Sequence, residues 1–242
     1  MIDEFSYIYN FIVEDKLKPE FMKNWKAFLQ ENLFDAILAG QDVMPKFKQQ
    51  FPNEFGTTQD ERVSYLKKPY AEGLIDEPIK IGGKKGESRL KQKAIERIYQ
   101  LTAGNPYYIQ MIGNRLVEYM NRNLSKYATE ADIESIKNEM IIGENSLAEG
   151  KFDNLISSGD TSADAIKSED AKHVLEQIAI NSIRGVCNKD SIQIETTVPL
   201  ELILDDLEKR EVVTRESGIY YSIKVELFKE WLNYHTRYSK EA

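Results

Sequence analysis

Residues Pro199–Leu232, PLELILDDLEKREVVTRESGIYYSIKVELFKEWL, set the reading of the C-terminal third of the chain. Pro199 opens a run to Arg210 with apolar residues at helical spacing, and a proline is well tolerated in a helix's first turn. Val212–Arg215 and Ile219–Ile223 are short β-like runs joined by Glu216-Ser217-Gly218, a turn-forming tripeptide. Val225–Tyr234 then reads as a helix with Leu227, Phe228, Trp231 and Leu232 on one side. Upstream, Ser168 caps a helix that carries Ala171, Val174, Leu175, Ile178 and Ala179 on one face. A short segment around Ser191–Thr197 lies between. Helix, helix, helix, hairpin, helix is the order of a winged helix-turn-helix domain, expected here over 168–242.

Working toward the N-terminus, residues 144–167 are polar and Gly/Ser-rich apart from Phe152, Leu155 and Ile156. They read as a linker with one short helix. Residues 84–143 read as a helical domain, with Leu90, Ala94, Ile98 and Leu101 in one stripe. Tyr108, Met111, Ile112, Leu116 and Tyr119 form a second stripe, and Ala128–Ile142 is a third helix. Gly104-Asn105-Pro106 separates the first two as a helix stop followed by a helix start.

Residues 1–83 alternate in kind. Leu17–Glu31 places Phe21, Trp25, Phe28 and Leu29 on one helical face. LFDAILAG, Leu33–Gly40, reads as a parallel strand buried on both faces, Asp42–Gln50 as a helix, and Glu61–Leu66 as an alternating strand. The fold class expected is therefore α/β plus α, with a truncated parallel sheet in a mostly helical chain.

Composition narrows function. The chain has 242 residues, with 40 Asp+Glu against 32 Lys+Arg and a net charge of −8, which argues against a generic basic nucleic-acid binder. No apolar run reaches the roughly 18 residues a membrane span needs, and MIDEFSYIYN lacks the basic start of a secretory signal. Location in the cytoplasm is the expectation. One cysteine, Cys187, excludes an internal disulfide framework, and two widely separated histidines, His173 and His235, read as structural. The 13 tyrosines are spread over the chain and not gathered as a stacking surface.

The sharpest local signal is Met1-Ile2-Asp3-Glu4. Two apolar residues followed by Asp-Glu look like the end of a Walker B strand, where hard-cation binding and proton transfer both call for carboxylates. Together with ILAGQD at 37–42, TAGNPYYIQMI at 102–112 and YYSIKVELFKEWL at 220–232, the chain resembles the C-terminal part of a STAND-type P-loop ATPase, the regulatory branch of the AAA-plus-like (archaeal-type) fold. That family runs in the order Walker B strand, helix, sensor-1 strand, last core strand, helical lid with a Gly-x-Pro motif, and winged helix. The matching order here covers nearly the whole chain.

The resemblance implies Asp3 as the magnesium-side carboxylate and Glu4 as the catalytic base. It implies Gln41 as the polar sensor near the terminal phosphate, and Arg62 as an arginine that reaches a phosphate. Gly104 and Pro106 become the lid motif beside the adenine. ATP or ADP with Mg2+ would be the cofactors of the complete protein, and none is expected for this chain alone.

The departures carry equal weight. No Gly-x-x-x-x-Gly-Lys-[Ser/Thr] occurs, so the phosphate cradle and its lysine are missing. Gly82-Gly83-Lys84-Lys85-Gly86 lacks that spacing and reads as a flexible loop. Only two apolar residues precede Asp3, and Ile223-Lys224-Val225-Glu226 lacks the histidine some relatives carry there. The expectation is a nucleotide-dependent switch that does not hydrolyse ATP on its own. A missing N-terminal segment or another chain would complete its sheet, since two strands alone are poorly stable, and an oligomer fits the same expectation. An inert interaction module is the alternative. DNA binding through the winged helix is disfavoured, because Glu201, Asp205, Asp206, Glu208 and Glu211 outnumber Lys209 and Arg210 on the helix that would enter the groove.

Overall fold

A computed structural model describes residues 1–31 and 33–238. The chain divides into two compact units of discontinuous stretches. The first comprises Met1–Arg62, Phe152–Lys172 and Thr196–Asp206, and the second Val63–Lys151, His173–Glu195 and Leu207–Ala242. The described residues form eleven α-helices and one small antiparallel sheet, so the chain is mostly helical.

In the first unit, α1 (Tyr7–Val13), α2 (Glu20–Gln30) and α3 (Met44–Gln50) enclose an aromatic core. Phe47 is its centre. Its ring lies 5.8 Å from Phe5, 5.6 Å from Tyr9, 5.5 Å from Phe51 and 5.0 Å from Phe55. Such stacked, tilted and edge-on pairs add about 0.5–1.5 kcal/mol each beyond area burial. On α2 the buried residues are Met22 and Trp25, while Phe28 is 47% exposed. Most of the expected stripe faces the core: Trp25 joins the Phe5–Phe47 cluster, and Phe21 and Leu29 pack against it half-buried, while Met22 takes the buried place expected of Phe28.

Two expected strands do not form. Leu33–Gly40 is extended but pairs with a neighbour only through one parallel bridge, Ile2 to Leu38. Leu33 and Ile37 are 61% and 70% exposed. A strand becomes regular and buried only when neighbours take up its backbone groups and cover its faces, and among the described residues Ile2 is its single bridged partner, with Phe5 N–H adding one bond to Ala39 O. Glu61–Leu66 is irregular, and Val63 is 96% exposed. Its end bonds within the second unit instead: Leu66 N–H donates to Gly104 O at 2.9 Å, and the Ser64 hydroxyl donates to Glu211 at 2.6 Å.

The second unit is built on α4 (Lys68–Asp76), α5 (Gln92–Thr102), α6 (Pro106–Arg122) and α7 (Glu130–Ile142). The first expected stripe, Leu90, Ala94, Ile98 and Leu101, is buried; of the second, Tyr108, Ile112 and Leu116 are buried while Met111 and Tyr119 are half-buried. Asn105 caps α6 by accepting from Tyr107 N–H at 3.0 Å, and Pro106 takes the first helical position. Thr129 and Asp132 form a capping box on α7. The segment expected as a linker carries only α8 (Asp153–Ile156) as an α-helix, with Phe152, Leu155 and Ile156 buried in the first unit.

Of the expected order helix, helix, helix, hairpin, helix, the first and third helices, the hairpin and the last helix form, but no helix forms around Ser191–Thr197, where a short strand and a 3-10 turn precede irregular chain. The elements are α9 (Ser168–Ile180), β1 (Cys187–Asn188), a 3-10 turn at Lys189–Ser191, α10 (Leu200–Lys209), β2 (Val213–Glu216), β3 (Tyr220–Ile223) and α11 (Glu226–Tyr238). The sheet order is β1-β3-β2, all antiparallel, with Val213 opposite Ile223 and Cys187 opposite Tyr221. Cys187 is fully buried, and that burial pushes its thiol pKa up, as for an inert core thiol. In α11, Leu227, Phe228, Trp231 and Leu232 are buried, and the Trp231 indole donates to Leu147 O at 2.8 Å.

Arg97 and Lys137, both largely buried, join α5, α7 and α11. Arg97 meets Glu134 and Glu226, the latter at 3.0 Å, and Lys137 meets Glu134 at 2.7 Å and Glu230 at 2.8 Å. Burial alone would lower both cations' pKa values, but the carboxylates around them hold both above the ordinary range.

Candidate functional site

The chain turns sharply after the Ile2–Leu38 bridge, and that turn assembles the site. Ile2 N–H donates to Ile37 O at 2.8 Å, Ala39 N–H to Ile2 O at 2.9 Å, and Phe5 N–H to Ala39 O at 2.8 Å. The parallel register brings residues 3–4 beside residues 40–41. Glu4 takes a positive φ of 54°, a conformation that non-glycine residues adopt rarely and mostly at constrained sites. Its side chain accepts from Gln41 Nε2 at 3.0 Å, and its N–H donates to Asp3 Oδ1 at 2.9 Å. Gln41 N–H in turn donates to Ser6 Oγ at 3.1 Å. Asp3, Glu4 and Gln41 are all exposed and open to an incoming group.

A strap from far along the sequence borders this trio. Residues 157–166 are tied to α1 and α3. Asn10 Nδ2 donates to Gly159 O at 2.8 Å, and the Lys46 ammonium reaches Asp160 at 2.8 Å, Ser162 Oγ at 2.6 Å and Asp164 at 2.7 Å. Burial by itself would lower the Lys46 pKa, but hydrogen bonds to Asp160 and Asp164 outweigh it and hold the ammonium above its usual range. Gly159 stands close to Gln41: a Cβ there would lie 3.0 Å from Gln41 Oε1. Ser6, Asn10, Lys46 and Gly159 were not singled out from the sequence. The partners in these contacts are up to 149 residues apart, and no local motif marks them.

Arg62 lies in the exposed, irregular stretch before Val63. Gly104 and Pro106 belong to the second unit. Gly104 has φ +81°, and a Cβ there would lie 2.2 Å from Leu66 O, so only glycine fits. With Ala103 at φ +51°, it ends α5 in left-handed conformation before Asn105 starts α6. Helix punctuation together with the close approach of Leu66 O sets the backbone of Gly104-Asn105-Pro106.

Chemically, Asp3 and Glu4 offer carboxylate oxygens and Gln41 an amide within hydrogen-bond reach. Among the described residues no group of three or more His, Cys, Asp or Glu side chains gathers as a metal cage. Two adjacent carboxylates still suit Mg2+, which is commonly held by one or two carboxylates together with phosphate oxygens and water. No described helix is long and apolar enough to cross a membrane. Comparison of the chain with protein-family models, with curated proteins and with solved structures finds no match.

Proposed function

We propose that this chain is the C-terminal portion of a regulatory P-loop ATPase of the STAND, AAA-plus-like type, acting in the cytoplasm as a nucleotide-dependent switch. One observation carries the reading. Gln41 Nε2 meets Glu4 Oε2 at 3.0 Å across 37 residues, joined by parallel backbone pairing at Ile2 and Leu38. An acidic pair just after one bridged residue, beside a polar residue just after its parallel partner segment, is the arrangement that the ends of a Walker B and a sensor-1 strand would produce. Asp3 would hold Mg2+, which neutralises phosphate charge when bound. Glu4 would take the proton of an attacking water, and Gln41 would orient Glu4 and report the terminal phosphate.

The third block supports the same reading. Helix α9, strand β1, a 3-10 turn, α10 and the β2–β3 hairpin follow one another as in a winged helix, with β1 pairing to β3. The hairpin's Arg215 is held by Glu208 at 3.1 Å and lies over the Tyr221 ring. Together with the acid-rich face of α10, that favours protein contact over DNA contact for this block. A catalytically inert interaction module is the second reading, favoured by the absence of a phosphate-loop motif from these 242 residues.

The test is to read the coding sequence upstream of the Met1 codon and express the longest frame. A strand, a Gly-x-x-x-x-Gly-Lys-[Ser/Thr] loop and a helix, with ATP turnover abolished by Glu4→Gln, would sustain the proposal. An in-frame stop without such a stretch, or full turnover in Glu4→Gln, would end it and leave the interaction module.

A further inference from the structure

Residues 80–91, KIGGKKGESRLK, do not form the flexible loop their glycines suggest. Ile81 and Glu87 pair as an antiparallel bridge, with Ile81 N–H to Glu87 O at 2.9 Å and Glu87 N–H to Ile81 O at 3.1 Å. Gly86 N–H closes the turn on Gly83 O at 2.8 Å. A Cβ at Gly86 would lie 1.8 Å from Ile81 O, so glycine is required there, and Gly82 and Gly83 both take positive φ. The result is a closed tongue with Lys84 and Lys85 exposed at its tip. Among the described residues, none of the backbone N–H groups of Gly82, Gly83, Lys84 and Lys85 donates to a protein acceptor.

The base of the tongue is also basic. Leu90 and Ala128 form a parallel bridge that brings 89–91 beside 126–128. Arg89 donates to Lys126 O at 3.0 Å and to Ser125 O at 3.1 Å. Lys91 and Lys126 both lie over the Tyr127 ring, at 4.8 and 5.1 Å. The carboxylates nearby are engaged: Glu87 accepts from Tyr127 OH at 2.7 Å, and Asp76 and Glu77 face Lys80 and Lys84 at 3.1 and 3.4 Å. Lys85, Lys91 and Lys126 are exposed, and Lys126, hydrogen-bonded to Tyr127 and near the Glu87 carboxylate, is held charged, its pKa raised. This cluster stands on a chain of net charge −8, where a general attraction for polyanions is absent.

We propose that the Gly82–Gly86 tongue, with Arg89, Lys91 and Lys126, is a contact surface for the phosphate backbone of duplex nucleic acid. Lysine ammoniums bind phosphates as point charges, and turn N–H groups that no protein acceptor takes up add donors. Duplex rather than single-stranded nucleic acid follows from Tyr127: two lysines cover its ring, so it offers no stacking platform for an unpaired base. A surface of lysines and backbone donors engages phosphate charge, so binding is expected to be independent of sequence and steeply salt-dependent.

The experiment is fluorescence anisotropy of the full chain with a labelled DNA duplex of about 20 base pairs, titrated at several salt concentrations. The expected slope of log K against log salt is about −3 to −4, for four or so phosphates. Lys84→Glu/Lys85→Glu should weaken binding about tenfold or more and flatten the slope by about 2. Lys18→Glu/Lys23→Glu, which makes the same charge change at exposed positions of the first unit, should change affinity by less than about twofold. Equal loss in the two variants would overturn the proposal, as would no binding at about 50 mM salt. Displacement of the duplex by polyglutamate of matched charge would also overturn it, in favour of an acidic protein partner.

Discussion

Replacing Gly104 by alanine tests whether the Gly-Asn-Pro stretch is an architectural joint. Gly104 sits at φ +81°, where an L residue costs about 1–2 kcal/mol. The new Cβ would also fall 2.2 Å from Leu66 O, so the 2.9 Å bond from Leu66 N–H to Gly104 O must open, costing about 1 kcal/mol more. A loss of about 2–3 kcal/mol is expected. Ala103→Gly, one residue earlier, should act in the opposite direction. Ala103 already bears left-handed strain at φ +51°, and relief of about 1–2 kcal/mol exceeds glycine's added unfolded-state entropy of about 0.5–1 kcal/mol. The assay is urea unfolding followed by tryptophan fluorescence in a Trp25→Phe background, which leaves Trp231, in the same unit as Gly104, as reporter. A loss below about 0.5 kcal/mol for Gly104→Ala, or destabilisation by Ala103→Gly, would refute the strain argument.

Two further outcomes follow from buried charges. Lys46→Met removes the cation between Asp160, whose side chain is only 10% exposed, and Asp164, so residues 157–166 should detach from α3. Hydrogen exchange of that strap should quicken at least about tenfold while the α5–α7 amides keep their rates, and unchanged exchange would show that Lys46 does not hold it. Glu134 answers to pH: burial alone would raise its pKa, but Lys137 and Arg97 outweigh burial and depress it below the ordinary 4.5. A depressed folded-state pKa gives stability that is complete above the unfolded value and is lost as pH falls through the folded one. Glu134→Gln should therefore flatten the acid limb of a denaturation profile below about pH 4.5, and an unaltered limb would count against the network.

What the sequence by itself determined is local. Helical stripes such as Leu90–Ala94–Ile98–Leu101 and Leu227–Phe228–Trp231–Leu232 are legible because side chains three and four apart share a face whatever they pack against. The β2–β3 hairpin and the Asn105-Pro106 helix start are legible for the same reason, since turn and cap chemistry acts over a few residues. Asp3, Glu4 and Gln41 could be named from motif order alone, yet their meeting at 3.0 Å depends on the Ile2–Leu38 pairing.

Tertiary structure decided the rest. Leu33–Gly40 has the composition of a strand buried on both faces but stays an extended segment with only Ala36 and Leu38 packed on the core, because a strand is defined by its neighbours and among the described residues Ile2 is its one bridged partner. The polar stretch 157–166 reads as a linker but is bound to α1 and α3, because Lys46 and Asn10 supply partners more than 100 residues away. The glycines of 82–86 read as a loop in sequence, and the Ile81–Glu87 bridge closes that loop into a tongue. In each case the deciding interaction is long-range or depends on a backbone geometry that composition does not encode, so only the folded chain reveals it.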